Sequence, residues 1–372
     1  MSLRQSTEIA IIPRLFQARI TDAQLSIICL AGIEKECNAN YIHGKDLMCR
    51  MNSYSQFDPP TLLKNPFVQS YLASTNLRAL GKNPMLDAAR KMIIETSDKT
   101  RLLGFYSPNP KSSGLVLLLH GWEGSSDSTY IRCTGRYFFE RGYSIFRLNL
   151  RDHGDSHHLN TGIFFGSLFR EVFEAVRQVA RIEADLPFFM VGFSLGGNYI
   201  LRLAIQDATE SIPGLAHAVA ISPVIDPARA TRLIDSRPSF RYYFLQKWRR
   251  SLIRKQAVFP GKYDFKDILK LKSIYDITAK LLERYGNFSG SKEYFNSYTL
   301  SGESLAIIQR PATIITAMDD PIIPPDDFKD LTFSDSTRLV MHRHGGHNGF
   351  IETWDLNVWY QPFMLHLFNS HL

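Results

Sequence analysis

The chain has 372 residues, 44% of them hydrophobic, which is enough to bury a sizeable core, and it carries a formal charge of +7. No stretch approaches eighteen uninterrupted apolar residues, so the sequence offers no plain membrane-spanning helix, and the Leu25–Ile33 run is too short for a signal peptide. The four cysteines, Cys29, Cys37, Cys49 and Cys133, fit neither zinc spacing nor a disulfide framework, so a reducing, cytoplasmic setting with no metal or other cofactor is expected.

In chain order, residues 1–56 show no strong period and read as an N-terminal extension. Lys91 to Tyr106 holds two alternating runs about Ser97-Asp98-Lys99-Thr100, the pattern of an opening β-hairpin. Leu115-Val116-Leu117-Leu118-Leu119 is a buried-type strand that runs into His120-Gly121-Trp122-Glu123-Gly124, and a helix is expected over 130–141. The strand Tyr143 to Leu148 is followed by Arg151-Asp152-His153-Gly154-Asp155-Ser156-His157-His158. That loop is rich in metal-ligand types but lacks the i, i+4 helical pair of a zinc protease, and it is read as an ordinary polar loop.

After a second helix over 166–182, Phe188-Phe189-Met190-Val191 enters Gly192-Phe193-Ser194-Leu195-Gly196, with helical spacing from Asn198 to Ala204 and a helix expected over 198–208. Strand, GxSxG turn and helix together form the context of a nucleophile elbow, in which Gly192 and Gly196 remove collisions around a strained serine. The pentapeptide alone should arise by chance in about one chain in eight of this length, so the flanks carry the argument. Further strands are expected near 217, 313 and 339, and this alternation implies a mostly parallel sheet with helices on both faces.

Between Ile221-Ser222-Pro223 and the strand at 312 lies far more chain than a crossover helix needs. A helical cap insertion is expected at 229–308, with the catalytic core at 57–228 and 309–372. Residues 228–285 hold fifteen Lys/Arg against five Asp/Glu, and Arg241-Tyr242-Tyr243-Phe244 and Lys247-Trp248-Arg249-Arg250 interleave base with aromatic. Such a face is read first as a solvated cap helix and next as a contact for an anionic membrane surface. No motif supports nucleic-acid binding.

A serine hydrolase needs an acid and a base after the nucleophile, each on a loop behind a later strand. Ala312-Thr313-Ile314-Ile315-Thr316 empties into Ala317-Met318-Asp319-Asp320-Pro321, and Arg338-Leu339-Val340-Met341 into Gly345-Gly346-His347-Asn348-Gly349. Of His342, His344 and His347, the last sits in a glycine-flanked loop and is the expected base. Asp320, four residues before Pro324, is the expected acid, with Asp319 as a loop-fixing neighbour. The backbone N–H groups of Trp122 and Leu195 are the expected oxyanion donors.

These separated motifs, with Phe57-Asp58-Pro59-Pro60 and Leu63-Lys64-Asn65-Pro66-Phe67-Val68-Gln69 upstream, resemble the YheT-like, ABHD-type branch of the α/β-hydrolases, which also includes yeast ethanol acyltransferase/esterases. The resemblance runs from about residue 57 to the end. It departs from the pattern at Phe67, where the branch has a histidine after Asn-Pro, and in the histidine-rich loop after the fourth strand. It implies an α/β-hydrolase fold and a serine hydrolase of carboxylic esters, lipid or medium-chain acyl esters among them, with a Ser194, Asp320 and His347 triad. Acyl transfer through the same triad, and a non-catalytic ligand-binding scaffold, are the alternatives.

Overall fold

The computed structural model describes residues 57–372, and the N-terminal extension at 1–56 lies outside the described residues. Eight strands form one sheet: β1 (Arg90–Glu95), β2 (Arg101–Ser107), β3 (Leu115–Leu119), β4 (Ser144–Leu148), β5 (Phe188–Phe193), β6 (Leu215–Ile221), β7 (Ala312–Ala317) and β8 (Thr337–His342). Their order is β1-β2-β4-β3-β5-β6-β7-β8. The β1–β2 hairpin is antiparallel and β2 joins β4 antiparallel, while every pair from β4 through β3 to β8 is parallel. The hairpin turn is where the sequence puts it, closed by the Thr96 N–H on the Thr100 carbonyl at 2.8 Å, with Lys99 at φ 67°. The edge strand β1 is mostly exposed and carries Arg90, Lys91 and Glu95, charges that discourage pairing with another chain.

The helices are α1 (Pro66–Ser74), the single turn α2 (Pro84–Asp87), α3 (Thr129–Phe139), α4 (Phe169–Val179), α5 (Leu195–Asp207), α6 (Pro227–Ser236), α7 (Pro238–Val258), α8 (Ile274–Tyr285), α9 (Ser291–Asn296) and α10 (Tyr360–Asn369). Strand side chains alternate between two cores, as a period of two on a doubly covered sheet demands. Leu115, Leu117 and Leu119 join Val172, Val176, Tyr199 and Leu203 on one face. Val116 and Leu118 join Phe138, Phe363 and Phe368 on the other.

α10 is not among the helices expected from the sequence. Phe363, Met364 and Phe368 are all buried, and Phe368 stacks on Phe189 with ring centroids 4.2 Å apart. The helix after the elbow also starts at Leu195 rather than Asn198, because glycines at 196 and 197 weaken helical spacing in the sequence without preventing the turn itself.

The chain between β6 and β7 folds into α6 to α9. Asp226 caps α6, accepting from the Arg229 N–H at 2.9 Å. Asp235 at the end of α6 accepts from the Ser273 hydroxyl and the N–H groups of Ile274 and Tyr275 at 2.8–2.9 Å, fixing the start of α8. Ile234, Leu245, Leu252, Ile277 and Leu281 share the main core, so this insertion packs continuously with the sheet domain.

Candidate active site

The tight turn at the end of β5 is where the site begins. Ser194 has φ 56° and ψ −116°, a left-handed conformation costly for any residue with a Cβ. The surroundings hold it there: the Ser194 N–H donates to the Ile221 carbonyl at 2.9 Å, and the Ser194 carbonyl accepts from Val224 and Asn198 at 3.2 and 3.0 Å. A Cβ at Gly192 would stand 2.3 Å from the Gly196 carbonyl oxygen, and one at Gly196 would stand 2.3 Å from that of Leu119. Both glycines are therefore required by close backbone approach.

The loop that carries His347 follows β8. The His347 Nε2 lies 2.9 Å from the Ser194 Oγ, and its Nδ1 lies 2.9 Å from the Asp320 Oδ2 and 3.2 Å from Oδ1. Asp320, behind β7, has a fully buried side chain. Its Oδ1 also accepts from the N–H groups of Ile322 and Ile323 at 2.8 and 2.9 Å, which locks the carboxylate plane toward the imidazole. Asp319 points elsewhere, its Oδ1 accepting from the Gly346 N–H at 2.9 Å while its carboxylate faces His344 at 3.5 Å. Burial pushes the Asp319 carboxyl above its ordinary value.

Trp122 and Leu195, the expected oxyanion donors, line one cavity with Ser194 and His347. Leu195 opens α5, so its N–H has no partner within the helix and stands at the positive end of the helix dipole. The turn after β3 lies directly against the serine: a Cβ on Gly121 would be 3.1 Å from that of Ser194. α6 to α9 supply most of the cavity lining, including Ile234, Phe244, Trp248, Leu281 and Phe295. No Asp, Glu, Lys or Arg side chain lines the cavity. Asn198 ties both ends of the insertion beside Ser194, its Nδ2 donating to the Val224 and Tyr298 carbonyls at 2.8 and 2.9 Å.

Several supporting residues were not read from the sequence. The His347 N–H donates to the Ser70 Oγ at 2.8 Å, and the Asn348 N–H to the Ser222 Oγ at 3.2 Å. Gln69, fully buried, donates to the Leu63 and Ile351 carbonyls at 2.6 and 3.0 Å and accepts from the Ile351 N–H at 2.7 Å. α1 thus braces the histidine loop from behind. Gln69 stands inside the upstream motif, yet nothing in that motif says which loop it meets.

The fold agrees with comparison to known proteins. The α/β-hydrolase fold family matches residues 114–353. The chain belongs to that family. It is 24% identical over 315 residues to an abhydrolase domain-containing protein of Dictyostelium discoideum, covering 82% of this chain and 78% of that one. It is 25% identical over 263 residues to abhydrolase domain-containing protein 2 of Drosophila melanogaster, covering 64% and 63%. These relatives put this α/β-hydrolase in the abhydrolase-domain branch. Among solved structures, a Pyrococcus furiosus esterase superposes with a TM-score of 0.50 at 15% identity, over 86% of this chain and 99% of that one, a likeness of fold. The Arg151–His158 loop of the α/β-hydrolase spends Asp152 on Lys255, with Oδ1 to Nζ at 2.7 Å, and His157 on the Ser251 hydroxyl at 2.8 Å.

Proposed function

We propose that the protein is a serine hydrolase of carboxylic esters that works through an acyl-enzyme on Ser194. The observation that carries this reading is the unbroken relay from the Ser194 Oγ through His347 to the buried Asp320, at 2.9 Å on each side of the ring. His347 takes the serine proton as Oγ attacks the ester carbonyl, and returns it to the leaving alcohol. Asp320 holds the Nδ1–H tautomer and stabilises the imidazolium. The N–H groups of Trp122 and Leu195 receive the oxyanion, a contribution of a few kcal/mol in comparable sites. Water then attacks the acyl-enzyme by the same relay. An alcohol in its place would give acyl transfer, since the intermediate is shared.

The substrate side follows from the cavity. Its walls are mainly aliphatic and aromatic, which suits an apolar acyl chain better than a charged or strongly polar one. The test is wild type against Ser194→Ala on an ester panel from acetyl to long acyl chains, monoacylglycerol included, with and without added alcohol acceptor. A fluorophosphonate probe should label wild type and spare Ser194→Ala. A folded wild type that neither labels nor turns over any ester would leave a non-catalytic binding scaffold as the better reading.

A further inference from the structure

We propose that His120, His153 and Lys247 are positioning residues that pin three successive peptide groups of the oxyanion loop, and that through Lys247 the long helix α7 sets the aim of the Trp122 N–H. The proposal rests on the hydrolase reading for its catalytic meaning. The pinning itself is a matter of hydrogen bonds.

In the first peptide, the Gly121 carbonyl accepts from the Gly124 N–H at 2.9 Å and faces the His120 Nδ1 at 2.7 Å. The other nitrogen of His120, Nε2, accepts from the Leu150 N–H at 3.2 Å, so the ring proton sits on Nδ1 and is donated to Gly121. In a trans peptide the N–H points opposite the carbonyl, so holding the Gly121 oxygen aims the Trp122 N–H. In the second peptide, the Glu123 N–H donates to the His153 Nε2 at 3.1 Å. The His153 Nδ1 faces only an acceptor, the Arg151 carbonyl at 2.7 Å, which fixes the same Nδ1–H tautomer. In the third, the Glu123 carbonyl accepts from the Lys247 Nζ at 3.0 Å.

The loop needs such restraint. Glu123 has φ 55°, and a left-handed residue with a side chain persists only where its surroundings over-determine it. Burial holds His153 down to about 4, which keeps it neutral and able to accept. α7 grips the side chain as well as the backbone: the Trp122 ring stacks on Phe244 with centroids 5.3 Å apart and meets Trp248 edge-on at 5.0 Å. Lys255, further along α7, reaches back to Asp152, one residue before His153. The oxyanion loop, the loop after β4 and α7 therefore form one closed set of contacts. A shift of α7 would carry the Trp122 N–H away from the serine, so the insertion that walls the cavity also sets the catalytic geometry.

The test compares His153→Leu, which removes the acceptor, His153→Gln, which offers an amide oxygen near the position of Nε2, and Lys247→Met. Three readouts apply: kcat and KM on a short soluble ester, affinity for a trifluoromethyl ketone that adds to serine as an oxyanion, and hydrogen exchange of the Glu123 amide. Losing an oxyanion donor costs about 10²- to 10³-fold, so misaiming one should lower kcat by about 10- to 100-fold. KM should stay within about twofold, ketone affinity should fall in step with kcat, and the Glu123 amide should lose protection. His153→Gln should recover most of each. A folded His153→Leu protein with wild-type kcat and Glu123 protection, or a Gln variant as impaired as Leu, overturns the proposal. If His153→Leu does not fold, Lys247→Met decides by the same split between kcat and KM. If wild type shows no Ser194-dependent turnover, the hydrolase reading fails separately, and Glu123 exchange still decides whether the loop is pinned.

Discussion

Ser194, His347 and Asp320 act as one unit in the proposed mechanism, so removing any member should disable the rest. Ser194→Ala and His347→Ala should each lower ester turnover by several orders of magnitude in a folded protein, read as kcat on a soluble ester. Asp320→Asn should cost about 10⁴-fold, as the same change does in a serine protease triad, because the wrong tautomer of His347 is then favoured. Asp319→Asn should cost far less, since that carboxylate serves the Gly346 N–H and His344. Reversed effects would mean the acid has been assigned to the wrong aspartate. Away from the triad, His342 is buried against Trp359, ring centroids 4.2 Å apart, and its Nε2 has no hydrogen-bond partner. Burial pushes it down to about 4 from an ordinary 6.5. The unfolded chain therefore takes up a proton that the folded state refuses, and stability falls as pH drops from about 6.5 to about 4, by at most about 1.4 kcal/mol per pH unit. His342→Phe keeps the ring contact and removes the titration. Urea melts at pH 7 and pH 5 should show a smaller loss for the variant, and identical losses would refute this account.

At the scale of elements, the catalytic loops depend on neighbours far away in sequence. α1 holds the histidine loop through Ser70 and Gln69, and a Cβ on Gly346 would come within 2.3 Å of the Pro66 carbonyl oxygen. Gln69→Leu should cost about 1–3 kcal/mol, because it strands a buried N–H and two carbonyls. It should also lower kcat on a short ester with little change in KM, since the loop it braces carries the base and the cavity is untouched. Chemical denaturation and steady-state kinetics on one preparation check both; a loss of stability with unaltered kcat would show that α1 supports the fold and not the site.

For the whole molecule, charge is concentrated on one element. α7 carries six Lys/Arg and no Asp or Glu. Five of the six donate to the protein itself: Arg241 to the Asp235 carbonyl at 3.0 Å, Lys247 to that of Glu123, Arg249 to that of Leu271 at 2.7 Å, Arg254 to that of Gly154 at 3.1 Å, and Lys255 to the Asp152 carboxylate. Arg250 and Arg254 are exposed, beside Tyr242 at 67% and Ile253 at 54% exposure. We propose that this outer face contacts anionic lipid, each surface cation contributing about 1 kcal/mol over a Debye length of about 8–10 Å. Co-sedimentation with anionic vesicles should then fall steeply with salt. Arg250→Gln with Arg254→Gln should weaken it while sparing turnover of a soluble ester. Equal, negligible pelleting with anionic and neutral vesicles at low and physiological salt would retire the membrane contact. No helix among the described residues is long and apolar enough to cross a bilayer.

What was legible in the chain was what local pattern controls. Short apolar runs marked β3 to β8, the Ser97 to Thr100 turn marked the hairpin, and the GxSxG flanks marked the elbow, because strand burial and tight turns impose their demands within a few residues. The chain order of Ser194, Asp320 and His347 singled out the three residues that the fold brings within hydrogen-bonding distance. Tertiary structure alone decided what lies between distant segments. The spacing to Pro324 favoured Asp320 over Asp319, but what Asp319 meets instead, the Gly346 N–H and His344, depends on how the loop after β7 turns. Gln69 and Ser70 look like ordinary polar residues of a helix until α1 is set against residues 346 to 351. α10 is not singled out in the sequence because its apolar face has meaning only against Phe189 and Phe138. Nothing along the chain says what the histidine-rich loop meets: His153 bonds the Glu123 N–H and the Arg151 carbonyl, and His157 the Ser251 hydroxyl, because a hydrogen-bond partner is fixed by position in space and not by spacing along the chain.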